Sequence, residues 1–148
     1  MNLLGHPLHP AIVHFPIGLL LSATIADLAW VAGLTSDAHI AAVLMAGGLA
    51  FGLLAMGAGM IDLIRLDEAI VPYAMQHVSA VGLAWLGYAI DLYLRKETLW
   101  AGTSSAPSAL AIGVSLASAL VLAFGGWLGG RLVYTFGANV AKSQPPSA

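Results

Sequence analysis

The sequence predicts an all-α protein, an up-and-down bundle of four transmembrane helices. Of its 148 residues, 59% are hydrophobic and only 8% are charged, against about 25% charged residues in an ordinary soluble domain. The hydrophobic residues form four blocks, each close to the roughly 20 residues that a helix needs to cross a bilayer. Short breaks that contain charged residues or Gly, Pro and Ser separate the blocks, so consecutive helices run in opposite directions.

The four predicted spans are residues 11–33, 40–64, 73–94 and 108–130. The first and third are apolar except for one His near the start and one Asp near the end: His14 and Asp27 in the first, His77 and Asp91 in the third. We expect a single membrane domain over residues 1–141. The polar tail, 142–148, has a composition typical of disorder.

The even number of spans places both termini on the same side of the membrane. The basic residues are divided three to two between the sides, with Arg65, Arg131 and Lys142 on the side of the termini and Arg95 and Lys96 on the other. This difference favours cytoplasmic termini by the positive-inside rule. The first span lacks a basic segment before it and three more spans follow, so we do not expect it to be a cleaved signal peptide.

Composition also argues against several classes of function. A net charge of -2 with five scattered basic residues provides no patch for phosphates, so we expect no nucleic-acid partner. The absence of Cys excludes disulfides, thiolate metal sites and covalent attachment of c-type haem. No GxSxG, HExxH or phosphate-loop motif is present, which favours a binding or electron-transfer protein over an enzyme with its own substrate.

The unusual residues converge on one leaflet, because odd spans begin and even spans end there. They are His14, His77, Asp62, Arg65, Arg131 and Tyr134. An ionisable side chain in the hydrocarbon costs about 2.5 to 3.5 kcal/mol on insertion scales, so such groups normally face inward. We therefore expect His14 and His77 to face the bundle interior at the same depth.

Two stripes at helical spacing indicate the inward faces of the second and third spans. They contain Gly48, Gly52, Ala55, Gly59 and Asp62 in the second, and His77, Ala84, Tyr88 and Asp91 in the third. The small residues of the second span have two interpretations: they bring helix backbones together, or they leave room for a flat cofactor.

The first and third spans also resemble each other, since HFPIGLLLSATIADL from His14 matches HVSAVGLAWLGYAIDL from His77 with one gap. A parallel internal repeat would make these two histidines pseudo-symmetric partners. The segment before them, GHPLHPAIVHFPIGL, adds His6 and His9, and Pro16 is expected to interrupt the helix beside His14. The simplest structural role for His6 and His9 is an interfacial cap that bonds free carbonyls and headgroups.

Four segments together resemble the bacterial membrane family known as domain of unknown function 2231. They are HPLHPAIVHFPIGLL, Gly59-Met-Ile-Asp62, His77 in the third span and GGRLVYTFGANV from Gly129. The resemblance covers nearly the whole chain and implies a multi-pass protein of the bacterial inner membrane. Related domains are fused to Rieske-type or cytochrome-type modules, which implies a connection with electron transfer. This chain contains no such module, so we expect a separate redox partner protein or a quinone.

The leading hypothesis is a small b-type cytochrome with His14 and His77 as axial ligands of haem b between the first and third spans. The residues expected to support it are Arg65, Arg131 and Tyr134 near the propionates, Asp62 beside an imidazole, and Gly52 and Gly59 against the porphyrin. The alternative is a Cu or Zn site, or a proton or metal pathway, that uses His6, His9 and His14 with His77 and Met60 or Met75. A third hypothesis is a non-catalytic bundle that anchors or assembles a complex. Homo-oligomers are a further option for the chain.

Overall fold

The computed structural model describes residues 2–3, 6–102 and 105–138, with side chains from residue 8 onward. Two short strands, β1 and β2, pair antiparallel at the start, and six helices follow. The elements are β1 (Asn2–Leu3), β2 (His6–Pro7), α1 (Leu8–Ile12), α2 (His14–Val31), α3 (His39–Leu63), α4 (Val71–Leu94), α5 (Lys96–Ala101) and α6 (Ala109–Tyr134).

Four helical segments are long and apolar enough to cross a membrane: Leu8–Val31, His39–Leu63, Val71–Leu94 and Ala109–Tyr134. α2 packs most closely on α3, and α4 on α6, so the chain forms two helical hairpins. The hairpins meet through α2 with α6 and through α3 with α4, which places α2 and α4 on a diagonal. The prediction of an all-α four-helix bundle is confirmed.

The bundle has small and polar residues inside and large apolar residues outside. Its buried residues include many alanines and several hydroxyl and charged side chains, whereas Ile25 is 64% exposed and Leu120 is 74% exposed. Lipid solvates a leucine as well as a protein interior does, so helices in a bilayer gain more from close packing of small residues. The inward faces predicted for the second and third spans are confirmed, since Gly52, Ala55 and Tyr88 are buried.

The first membrane segment is interrupted at Val13, between α1 and α2. Pro16 has no N–H, so the carbonyl of Ile12 receives no helical hydrogen bond from it. The bonds on either side persist, from Val13 N to His9 O at 3.0 Å and from Ile17 N to Val13 O at 3.3 Å. This confirms the expected interruption beside His14.

Other helix ends follow from local chemistry. α2 ends before Gly33, whose φ of +71° is a conformation that glycine adopts without strain. The Ala111 N–H donates to Ser108 Oγ at 3.1 Å and caps the start of α6. α6 continues to Tyr134, four residues beyond the predicted end, and α5 lies in a segment expected to be a loop. The predicted tail, 142–148, lies outside the described residues.

Candidate functional site

Two imidazoles are held in the same way near one end of the bundle. His9 projects from α1, and its Nδ1 lies 2.8 Å from the carbonyl oxygen of Ala55 on α3. His77 projects from α4, and its Nδ1 lies 2.8 Å from the carbonyl oxygen of Gly125 on α6. A carbonyl only accepts, so each Nδ1 carries the proton and donates it. Each ring is thereby fixed in the tautomer whose Nε2 has a free lone pair.

A glycine lies against each imidazole, one helical turn after the accepting carbonyl. A Cβ at Gly59 would lie 3.1 Å from the His9 ring, and a Cβ at Gly129 would lie 2.9 Å from Cε1 of His77. Any larger residue at Gly129 would push the ring away from its position. The pairs Ala55/Gly59 and Gly125/Gly129 are therefore matching seats for a histidine in the two hairpins.

Both histidines line one cavity of about 80 Å³ between the hairpins. Besides the imidazoles, the walls are almost entirely apolar and come from all four long helices, and they include Pro16, Leu20, Gly52, Met56, Trp85 and Leu122. Within the part of the chain that the structure describes, no residue hydrogen-bonds to Nε2 of either histidine. The arrangement thus offers two imidazole nitrogens in an apolar environment.

A buried charge cluster lies at the opposite end of the bundle. The Arg95 guanidinium donates to both oxygens of Asp27, at 2.7 and 3.2 Å, and twice to Oδ1 of Asp91, at 2.7 and 3.1 Å. The exposed fractions are 5% for Arg95, 2% for Asp27 and 0% for Asp91. Burial by itself would lower the pKa of Arg95, but the two carboxylates raise it above its ordinary value, so the guanidinium remains charged.

A cluster of three hydroxyls lies between this charge cluster and the apolar core. Thr24 Oγ1 is 2.8 Å from the Tyr88 hydroxyl and 2.9 Å from Ser115 Oγ. The three side chains come from α2, α4 and α6, and none is more than 5% exposed. Because buried hydroxyls are costly without partners, this contact fixes the two hairpins relative to each other.

The comparisons with known proteins give one match. The family described as "predicted membrane protein (DUF2231)" matches residues 5–142. The chain belongs to this family. Neither the curated proteins nor the solved structures include a match. Together with the four apolar helices, membership shows that this DUF2231 chain is a multi-pass membrane protein in contact with the lipid bilayer.

In this DUF2231 protein, the histidine that lines the cavity together with His77 is His9. His14 is exposed on α2, so the expectation that it faces the bundle interior is wrong. The physical reason is helix rotation: two residues five positions apart on a helix point about 140° away from each other, so only one of them faces the cavity. The matching seats on α3 and α6 were a signal in the sequence, a small-xxx-small pair near the end of each even span.

The two histidines that line the cavity differ from the pair that a parallel internal repeat would predict. Asp27 and Asp91 occupy matching places on α2 and α4, where both contact Arg95. At the other end, however, the partner of His77 is His9, not His14, and the interruption at Val13 separates His9 from the rest of the first repeat. The alignment of the first span with the third therefore matches Asp27 with Asp91, but it does not match the two histidines that line the cavity.

Three of the other predicted site residues lie close to the cavity or to the same end of the bundle. Gly52 lines the cavity and Gly59 lies against the His9 ring. Asp62 is buried near the same end. The Nδ1 atoms of His9 and His77 donate to the carbonyls of Ala55 and Gly125, and the role of Asp62 beside an imidazole stays a prediction.

The residues expected near propionates lie at the outer surface of that end. Arg65 is exposed, and Tyr134 is 90% exposed. Arg131 lies over the ring of Trp127, with 5.1 Å from Cζ to the ring centre, and 6.0 Å from the ring centre of Phe136.

Sequence reasoning missed Met56 as a cavity residue and the burial of Arg95. Met60 and Met75 are 51% and 45% exposed, whereas Met56 lines the cavity. Arg95 was placed in a loop, although its position four residues after Asp91 is the spacing of a helical ion pair. The His6 side chain lies outside the described residues. Within those residues, no group of three His, Cys, Asp or Glu side chains is placed to hold a metal ion.

Proposed function

We propose that this DUF2231 protein is a small b-type cytochrome that binds haem b between its hairpins and carries electrons within the membrane. His9 and His77 would hold the haem iron through their Nε2 atoms. The proposal is supported above all by one observation, the two imidazoles that line a common apolar cavity with their Nδ1 atoms bonded to backbone carbonyls. Metal-bound histidines typically donate the other ring N–H in this way.

The number of protein ligands favours haem over a metal held by the protein alone. Structural zinc sites use four protein ligands and catalytic ones three. The cavity offers two imidazoles, and the described residues provide no third His, Cys, Asp or Glu to complete such a site. A porphyrin supplies four nitrogens of its own, so two axial imidazoles are the set that it requires.

Haem binding requires the hairpins to move apart at the imidazole end, while the Thr24–Tyr88 and Asp27–Arg95 contacts keep them together at the other end. The cavity of about 80 Å³ is smaller than the roughly 300 Å³ at the lower end of small-molecule sites. The helices pack together more extensively within each hairpin than the two hairpins pack against each other. Separation along this interface would preserve both imidazole seats, because each seat is formed within one hairpin together with the histidine that it holds. Rotation of Trp85 away from Gly52 would provide further space and would break the hydrogen bond from Trp85 Nε1 to the Leu49 carbonyl oxygen, 3.0 Å long.

The end of the bundle that holds the imidazoles also has the charges that haem propionates need. Arg65 and Arg131 lie there, with Tyr134 as a hydroxyl donor, and charge-assisted bonds to carboxylates are among the strong hydrogen bonds in proteins. Arg131 would exchange its contact with Trp127 for a propionate. Electrons would then pass to a separate redox protein or a quinone in the bacterial inner membrane.

The experiment is an absorption spectrum of the protein purified in mild detergent from cells supplied with haem precursor. We expect a Soret band that shifts and sharpens on reduction with dithionite. His9→Ala and His77→Ala should each abolish the bis-imidazole spectrum. His14→Ala is the matched control, because it removes an exposed histidine five residues from His9 and should leave the spectrum unchanged. A colourless preparation, or loss of the band with His14→Ala alone, would refute the proposal.

A Cu(I) site is the second candidate, and Met56 is the observation that favours it. Its thioether lines the same cavity as the two imidazoles, and sulfur ligands favour Cu(I). An ion also fits a cavity of this size without movement of the hairpins. Metal analysis of the purified protein separates the two candidates: one Cu per chain that is lost with Met56→Leu supports this site, and iron with a Soret band supports haem.

A further inference from the structure

We propose that the buried cluster of Asp27, Arg95 and Asp91 is a proton-binding site, which holds one proton on Asp91 at neutral pH. It lies in the leaflet opposite the imidazoles. His77 and Asp91 are 14 residues apart on one helix, which corresponds to about 21 Å. The inference does not depend on haem or any other cofactor.

Charge balance is the first step of the argument. With both carboxylates ionised, the cluster would contain two negative charges and one positive charge. All three groups are at least nine-tenths buried, and an uncompensated charge in such a place is strongly unfavourable. One added proton makes the cluster neutral.

The hydrogen bonds identify the carboxyl that holds this proton. Both oxygens of Asp27 accept from the guanidinium, and Oδ1 of Asp91 accepts twice. Oδ2 of Asp91 is fully buried and has no hydrogen-bond partner among the described residues. An ionised oxygen needs donors, whereas a neutral O–H in the same place has a far smaller desolvation cost. The proton therefore lies on Oδ2 of Asp91, and Oδ1 still accepts from Arg95 as a carbonyl oxygen.

Among the residues that the structure describes, no other buried charged side chain lies at this end of the bundle to balance the cluster. Asp37, in the loop before α3, is partly exposed, and its Oδ1 accepts from the His39 backbone N–H at 2.9 Å. Tyr88, one turn before Asp91, is bonded through its hydroxyl to Thr24. On α3 the nearest titratable residue along the helix is His39, whose Nδ1 is 2.8 Å from the Thr98 carbonyl oxygen. α6 has hydroxyls at this end, and its one charged residue, Arg131, lies at the other end. The charged residues of α5 are exposed: Lys96 and Glu97.

Infrared spectroscopy of the full-length protein in lipid vesicles tests the site directly, because a protonated carboxyl has a C=O stretching band that an ionised carboxylate lacks. We expect this band at neutral pH in the wild type, with a shift in D₂O. Asp91→Asn should abolish it. Asp27→Asn should abolish it too, because Asp91 can then ionise and balance Arg95 alone. Asp67→Asn, an exposed carboxylate in a loop, is the control and should leave the band.

Stability distinguishes which carboxyl holds the proton. Asp91→Asn replaces a neutral acid by a neutral amide of the same shape and should fold with nearly wild-type stability. Asp27→Asn removes the acceptor of two guanidinium bonds and should be clearly less stable. A wild type without the band, a band that survives Asp91→Asn, or an Asp91→Asn protein that fails to fold would overturn the proposal. Replacement of Na⁺ by choline checks for a bound cation: a cluster whose stability depends on Na⁺ would also overturn it.

Discussion

Arg95 makes the contacts whose removal has the largest expected effect on stability. Arg95→Leu removes four hydrogen bonds to two carboxylates, all buried. Loss of one partner from a buried ion pair costs about 3 to 5 kcal/mol, which lowers the folding constant by between about two and four powers of ten. If Asp91 already holds a proton, only Asp27 must be neutralised after the substitution, which favours the lower end of this range.

The assay is unfolding of the protein in mixed micelles by increasing mole fractions of sodium dodecyl sulfate, followed by circular dichroism. Lys96→Leu is the matched control, because it removes the next positive charge along the chain. Lys96 is exposed and lies 4.9 Å from the centre of the Tyr93 ring, an exposed contact that contributes about 0.5 to 1 kcal/mol. Equal losses for the two substitutions would refute the reasoning, since they would mean that the buried contacts of Arg95 add nothing.

Two further substitutions test the imidazole seat and the hydroxyl cluster. Gly129→Ala should weaken the Soret band or lower the metal content, because the added Cβ would lie 2.9 Å from the His77 ring. Gly126 lines the same cavity, but a Cβ there would have open space around it, so Gly126→Ala is the control and should have no such effect. Similar cofactor content in the two variants would contradict the role of the seat. Tyr88→Phe should lower the free energy of unfolding by about 1 kcal/mol through loss of a buried hydrogen bond, measured as above. Tyr93→Phe, at a residue 68% exposed, should change it little, and an equal effect of the two would count against the cluster.

The tests at the end of the bundle that holds the imidazoles are independent of those at the end that holds the Asp27–Arg95–Asp91 cluster. A protein without a cofactor would leave the expected effects of Arg95→Leu and Asp91→Asn unchanged. Conversely, a stable Arg95→Leu variant would not alter the imidazole geometry, which depends on the carbonyls of Ala55 and Gly125. The function of each end can thus be decided separately.

The sequence by itself determined the number of membrane-spanning helices, their approximate limits and the fact that lipid surrounds them. Those properties depend on local composition, because a chain in hydrocarbon must satisfy its backbone hydrogen bonds within each span. The positions of His77, Tyr88 and Asp91 on one inward face were also predictable, since a continuous helix with a regular period connects them.

Only the tertiary structure decided which residues meet. The spacing of His9 and His14 allowed one of them to face inward, but the choice depended on which face of the first membrane segment packs against α3, which no local rule fixes. Arg95 lies just after a span, and its burial depended on two carboxylates that different helices bring to the same depth. Composition determines where a chain enters and leaves the membrane, whereas the partners of a polar side chain inside depend on how helices distant in sequence pack.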